Sequence, residues 1–200
     1  MIARRLVTAM VAVALCCVLL GCSTRRSDEF AIRREFQIPR RAEAVSYSAS
    51  PSEAGWFGRE GLKIDIVFQL TPEDYEAYTA KATTSGTWAK LPIPGVYLRR
   101  MAAIESAKRY RINSYTSGDE TLPPEGSVYN PTEQQMLEQF TESLPAQPED
   151  GLFQVRTAGT DVLHAPKSVV LEPDRDLPDF MLAMLDNDRQ RIVVKVSTGY

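Results

Sequence analysis

The stretch from Phe180 to Val196 constrains the fold of this chain more than any other. Phe180-Met181-Leu182-Ala183-Met184-Leu185 is wholly apolar, Asp186-Asn187-Asp188-Arg189 has the composition of a turn, and Ile192-Val193-Val194-Lys195-Val196 is β-branched but for one lysine. Two apolar runs around a polar turn predict a β-hairpin. A strand with one wet face alternates apolar and polar residues, and these runs are nearly continuous instead. They predict strands central to a sheet or buried on both faces.

Leu62 to Leu70 gives the second sheet signal. Leu62, Ile64, Ile66, Phe68 and Leu70 share one face by period two, and Lys63, Asp65, Val67 and Gln69 share the other, expected to meet mainly water. A helix is expected at once after it. Thr71 caps it, Pro72 takes the first helical position, and Glu73 and Asp74 suit the positive end of the dipole, with Tyr75, Tyr78 and Ala82 on one face. Asn130-Pro131-Thr132-Glu133 is another helix start, followed by the stripe Met136, Leu137, Phe140 and Leu144. Residues 96–110 carry Leu98, Met101, Ala102 and Ile104 or Glu105 at helical spacing, and residues 109–115 alternate as a short strand does. Short strands are expected at 36–38, 44–50, 152–156, 160–163 and 169–171, and loops at 51–58, 88–94 and 116–130. Together these predict an α+β fold, a single domain with a mostly antiparallel sheet packed by two or three helices. The chain is 44% apolar and 24% charged, ordinary for a globular protein.

The first residues serve a different end. Met1-Ile2-Ala3-Arg4-Arg5 is short and basic, and residues 6–20 are apolar apart from Thr8. That run falls short of the roughly twenty residues needed to cross a bilayer core, and it has the pattern of a secretory signal peptide. It ends in Leu19-Leu20-Gly21-Cys22. These residues resemble the lipobox of bacterial lipoprotein precursors. The resemblance covers the first 22 residues. It implies a diacylglyceryl thioether on Cys22, cleavage after Gly21 and acylation of the new amino terminus. Ser23 after the cysteine is similar to the pattern that sends enteric lipoproteins to the periplasmic face of the outer membrane rather than retaining them in the inner membrane. The expected organisation is a leader at 1–21, a lipidated flexible tether at 22–34 and a globular domain at 35–200. Cys16 and Cys17 leave with the leader, so the domain must rely on its core rather than on disulfides.

Charge narrows the partners. The chain has 23 basic and 26 acidic residues, and Arg4 and Arg5 also leave with the leader. Residues 23–41 hold six arginines against Asp28, Glu29 and Glu35, which leaves the rest of the chain acidic. That balance argues against nucleic acid as a partner. The basic segment suits anionic lipid headgroups beside the anchor, or acts simply as a solvated linker.

Candidate chemistry is sparse. His164 is the single histidine, so a zinc site built on two or three histidines is excluded, and no metal or cofactor is expected. A hydrolytic triad can use only His164, with Asp161 and Ser168 nearby, and there is no Gly-x-Ser-x-Gly elbow. Asp186-Asn187-Asp188 resembles the start of a calcium loop but has Arg191 and Ser197 where that loop needs glycine and an acid, so turn capping is the better reading. Asp174, Asp176 and Asp179, if facing Asp65 or Glu120 across a cleft, would suit a glycosidase; a solvated acidic loop is the plainer alternative. Trp56, Phe57, Trp88 and Tyr129 sit near loops and form a candidate partner surface, or anchor those loops to the core. The expectation is a membrane-anchored envelope protein, non-catalytic, that binds another macromolecule as an assembly component or an immunity-type protein. The alternatives are a carboxylate-dependent envelope hydrolase acting on glycan or peptidoglycan, and a small-ligand carrier with a pocket beneath the sheet.

Overall fold

The predicted C-terminal hairpin lies in the middle of the sheet. The structure is a computed structural model describing residues 25–51, 62–116, 133–144, 151–159, 161–165, 167–172 and 179–198. The leader and Cys22 lie outside the described residues, as do residues 52–61 and 117–132, which hold most of two stretches expected as loops and the expected start of a helix at Asn130. Helices are α1 (residues 25–36), α2 (Pro72–Thr84), α3 (Gly95–Thr116) and α4 (Glu133–Ser143). Strands are β1 (Glu43–Pro51), β2 (Leu62–Gln69), β3 (Ala89–Lys90), β4 (Leu152–Thr157), β5 (Val169–Val170), β6 (Phe180–Asp186) and β7 (Arg191–Ser197). The fold is α+β, and the chain divides into two units, Met1–Ile38 and Pro39–Tyr200.

In the second unit the strand order is β1-β2-β7-β6-β4-β3, with β5 also paired to β4. Every pairing among the described residues is antiparallel. The register aligns the alternation across strands. Ile66 faces Val194, which faces Ala183, and Phe68, Ile192 and Leu185 form the next row. These six side chains are fully buried. On the other face, Val193 opposes Met184 and Met184 opposes Phe153. There Met101, Ala102 and Ile104 of α3 and Phe140 of α4 join Phe153, Val155, Phe180, Leu182 and Met184 in one core. Phe140 meets Phe180 edge to face at 5.9 Å, and Tyr97 meets Phe153 at 5.7 Å.

That core corrects one expectation. The second face of β2 does not look mainly to water: Lys63, Val67 and Gln69 are half-buried, and Val67 packs against the α3–α4 core. Other boundaries follow local chemistry. The Asp74 amide donates to Thr71 Oγ1 at 3.3 Å, and Tyr75, Tyr78 and Ala82 are buried as expected. Burial pushes the Tyr78 hydroxyl well above the usual tyrosine range. The Tyr75 hydroxyl donates to Asn187 Oδ1 at 2.7 Å, fastening α2 to the β6–β7 turn. Gly151 is required where it stands, because a Cβ there would lie 2.1 Å from the Leu185 carbonyl oxygen.

Four further expectations are overturned. Residues 109–115 continue α3 rather than forming a strand, since the helical ladder extends to Thr116. Residues 161–165 form a turn: Asp161 accepts from the Leu163 amide through Oδ1 and from the His164 and Ala165 amides through its carbonyl. Residues 25–34, expected as part of a flexible tether, are helical. Residues 36–38, expected as a strand, form the end of that helix. Gln37 adopts φ 55°, the Ile38 amide returns to the Arg33 carbonyl at 2.9 Å, and Gln37 returns to Arg34 at 3.4 Å. This is the pattern of a Schellman cap. Arg33 bridges Glu29 one turn earlier at 2.7 Å.

Deleting residues 191–200 removes the strand between β2 and β6. Ile192, Val194 and Val196 are fully buried and Val193 nearly so. Each such side chain is worth about 1.5–3 kcal/mol on burial, against a typical domain stability of about 5–15 kcal/mol. The truncated chain is expected to lose cooperative thermal unfolding, followed by circular dichroism, and Val194→Asp to do the same. A truncated protein melting within a few degrees of the intact one would place β7 outside the core.

Candidate functional site

The strongest concentration of charge in the described interior lies where α3 crosses β2 and β7. Lys63 and Asp65 project from the same face of β2 by period two, and Asp65 stands directly across from Lys195 of β7. Glu105 comes from α3, one position after Ile104 on its buried side. Glu105 Oε2 accepts from Lys63 Nζ at 3.0 Å. Glu105 Oε1 sits 3.8 Å from Lys195 Nζ, and Lys195 Nζ is 3.5 Å from Asp65 Oδ1. The Lys195 and Glu105 side chains are only 6% and 7% exposed, whereas Asp65 is 54% exposed and well screened. Burying one ammonium or one carboxylate alone is costly, and pairing makes it tolerable. The network therefore fixes α3 to the two strands, and its charges balance within it.

A second constellation lies on the turn at 161–165. His164 Nδ1 is 2.6 Å from Asp161 Oδ2, within hydrogen-bond distance. Val162 and Leu163 are buried beneath an exposed His164. A histidine oriented by a carboxylate is two parts of a hydrolytic triad. The expected third part is engaged elsewhere: Ser168 Oγ accepts from Arg156 Nε at 2.6 Å, and the Ser168 carbonyl accepts from Arg156 Nη2 at 2.9 Å. What the turn offers is a surface imidazole oriented by a neighbouring carboxylate.

Asp179 is fully buried and works as a clasp. Its Oδ1 accepts from Thr157 Oγ1 and the Gly159 amide, both at 2.8 Å, and from the Ala158 amide at 3.3 Å. That set ties the end of β4 to the start of β6. Asp174, Asp176 and Glu120 lie outside the described residues. Asp186 caps its turn, accepting from the Arg189 amide at 3.1 Å and Arg191 Nη2 at 2.8 Å. Among the described residues no group of three or more metal-ligating side chains forms.

Of the aromatic partner surface, Trp56, Phe57 and Tyr129 lie outside the described residues. Trp88 is half-buried and meets Tyr78 edge to face at 6.1 Å, against the face of α2 that carries the buried tyrosines. The α3 network was not predicted as a site. Its signals were a single lysine inside a β-branched run and a glutamate on the apolar stripe of a helix. No family model, no curated protein and no solved structure matches this chain.

Glu105→Ala should cost about 2–4 kcal/mol, since it leaves the buried Lys195 with only the exposed, screened Asp65 as partner. Glu105→Leu combined with Lys195→Met should recover most of that loss, because well-packed apolar replacements of a buried pair are often neutral or stabilising. Lys63, half-buried, can extend its ammonium to water. Urea denaturation of the three proteins provides the check. A single variant within about 0.5 kcal/mol of wild type, the range of ordinary surface changes, would show that the network does not hold α3.

Proposed function

We propose that the protein is a lipid-anchored component of the bacterial envelope whose folded domain is non-catalytic and binds another protein. The anchor reading rests on Leu19-Leu20-Gly21-Cys22, with the lipid on Cys22 and the outer membrane's periplasmic face as its place. Two acyl chains already suffice for durable anchoring, so a triacylated terminus holds the domain at the membrane.

The observation that carries the binding role is β1. It is a nine-residue strand at one end of the sheet order, and among the described residues it pairs with β2 alone. Soluble proteins usually blunt such edges with lysine, proline or a bulge. Here the register shift at Val45 and the proline at position 51 bracket the strand, and Glu43 is its one charged residue. Between them Ser46, Ser48, Ala49 and Ser50 are exposed. An extended segment of a partner protein fits this edge by adding a strand, with main-chain hydrogen bonds supplying the affinity. Support for a non-catalytic domain comes from Ser168, the serine nearest the Asp161–His164 pair in sequence, whose hydroxyl and carbonyl are both taken by Arg156.

The test is photo-crosslinking in native membranes from position 48, with position 76 on the exposed side of α2 as control, alongside mass spectrometry of the mature amino terminus. Acyl groups on Cys22 and an adduct with one envelope protein from position 48 but not 76 are expected. Cys22→Ser should leave unprocessed precursor. A wild-type terminus without acyl groups overturns the anchor, and the lack of a position-dependent adduct overturns the binding role.

A further inference from the structure

The first unit holds an aromatic ring where a helix of this kind should carry none. In α1 the buried residues Asp28, Ala31, Ile32 and Phe36 recur at three- and four-residue spacing and mark one side of the helix. On the opposite side, Arg26, Phe30 and Arg34 follow one another at steps of four, which places them in a single row. Phe30 is 62% exposed, more than Val45, Val96 or Val169. A lone exposed apolar residue needs no explanation. One set in a row between two exposed arginines, a few residues after a predicted lipidation site, does.

Chain length supplies the second constraint. Three residue steps separate Cys22 from Arg25, and a fully extended chain spans about 3.3–3.6 Å per residue. With Cys22 acylated, the start of α1 therefore stays within about 10–11 Å of the Cys22 backbone, which the thioether ties directly to the acyl glycerol. The polar headgroup region of a bilayer is of order 5–8 Å deep on each side, so the first turn of α1 is held close beside the membrane surface. The charge on the exposed row matches what is found there. Arg26 and Arg34 are exposed along it, and Arg34 is bridged at 3.0 Å by Glu35, whose own side chain is nearly covered. Arg33 pairs with Glu29 on the flank of the helix. A domain whose net charge is negative approaches an anionic surface only through such a face.

We propose that the Arg26–Phe30–Arg34 face of α1 docks on an anionic phospholipid bilayer, the arginines meeting headgroup phosphates and the Phe30 ring entering the interface between headgroups and acyl chains. This rests on the lipid anchor proposed above. The anchor then fixes the attitude of α1 at the membrane as well as its location.

The experiment uses the lipidated mature protein, beginning at Cys22, carrying Phe30→Cys labelled with an environment-sensitive fluorophore. It is reconstituted into vesicles of phosphatidylcholine alone and of phosphatidylcholine with about one third phosphatidylglycerol. In the anionic vesicles the emission should shift to the blue and be quenched by lipid-borne nitroxides, with at least a twofold loss of intensity. In neutral vesicles the effect should be smaller. Arg26→Glu with Arg34→Glu should abolish the difference, and the same label at Glu76→Cys should stay water-like in both. A label at position 30 that stays water-like in both vesicles overturns the proposal. So does a blue shift that appears equally without vesicles, which would mean that protein occupies the face. Intact mass reports the acyl chains on Cys22 in the same sample, so failure of the anchor and failure of the docking face are read separately.

Discussion

β6 and β7 have water on neither face, and the rest of the domain is arranged to make that tolerable. From Phe180 to Asp186 and from Ile192 to Ser197 each residue is buried. Backbone groups there must be satisfied by neighbouring strands, which β2 and β4 provide on either side. Polar side chains need internal partners as well. Lys195 finds Glu105 and Asp65 across the sheet face. At the turn, burial pushes the Asp186 carboxyl up, and hydrogen bonds from Arg191, the Arg189 amide and the Arg189 side chain outweigh it, holding the group below the usual carboxylate range. At the other end, Asp179 leads into β6 with its Oδ1 filled by three donors.

The elements legible in the sequence are those whose signal is local and dense. The hairpin shows its double burial as two unbroken apolar runs, and β2 shows its alternation over nine residues. Thr71 and Pro72 mark the start of α2 because a capping hydroxyl and a fixed φ act on the next few residues alone. The misreadings arise where the decisive contact is distant or the apolar count is low. Helix α1 has only Ala31, Ile32 and Phe36 on its buried side, too few for the period to show among so many arginines. Its Schellman cap uses Gln37 rather than the usual glycine. In α3, Tyr110 and Ile112 alternate over too short a span to distinguish strand from helix. The bulge at Val45 leaves that residue 52% exposed, out of step with the alternation expected of the strand at 44–50.

The candidate sites were legible in a different measure. The Asp161–His164 pairing follows from a three-residue spacing that a turn closes, and sequence reading had put the two residues together. It could not foresee that Arg156 would take Ser168, because that bond depends on β5 returning beside β4. Nor could it see the Lys63–Glu105–Lys195 network, whose members come from two non-adjacent strands in the chain and a helix between them. A single charged residue inside an apolar run is the trace such networks leave in a sequence. Lys195 and Glu105 both leave it.

The central claim is that the β6–β7 pair is the cooperative centre of the domain, and that the α3 network and the edge at β1 depend on it. Native-state hydrogen exchange tests this most directly. Amides of residues 181–185 and 192–196 should exchange only through global unfolding, with one shared opening free energy equal to that from denaturant titration, while amides of β1 open at lower cost. Exchange of the β6 and β7 amides at the rate of those in β1 would contradict the account.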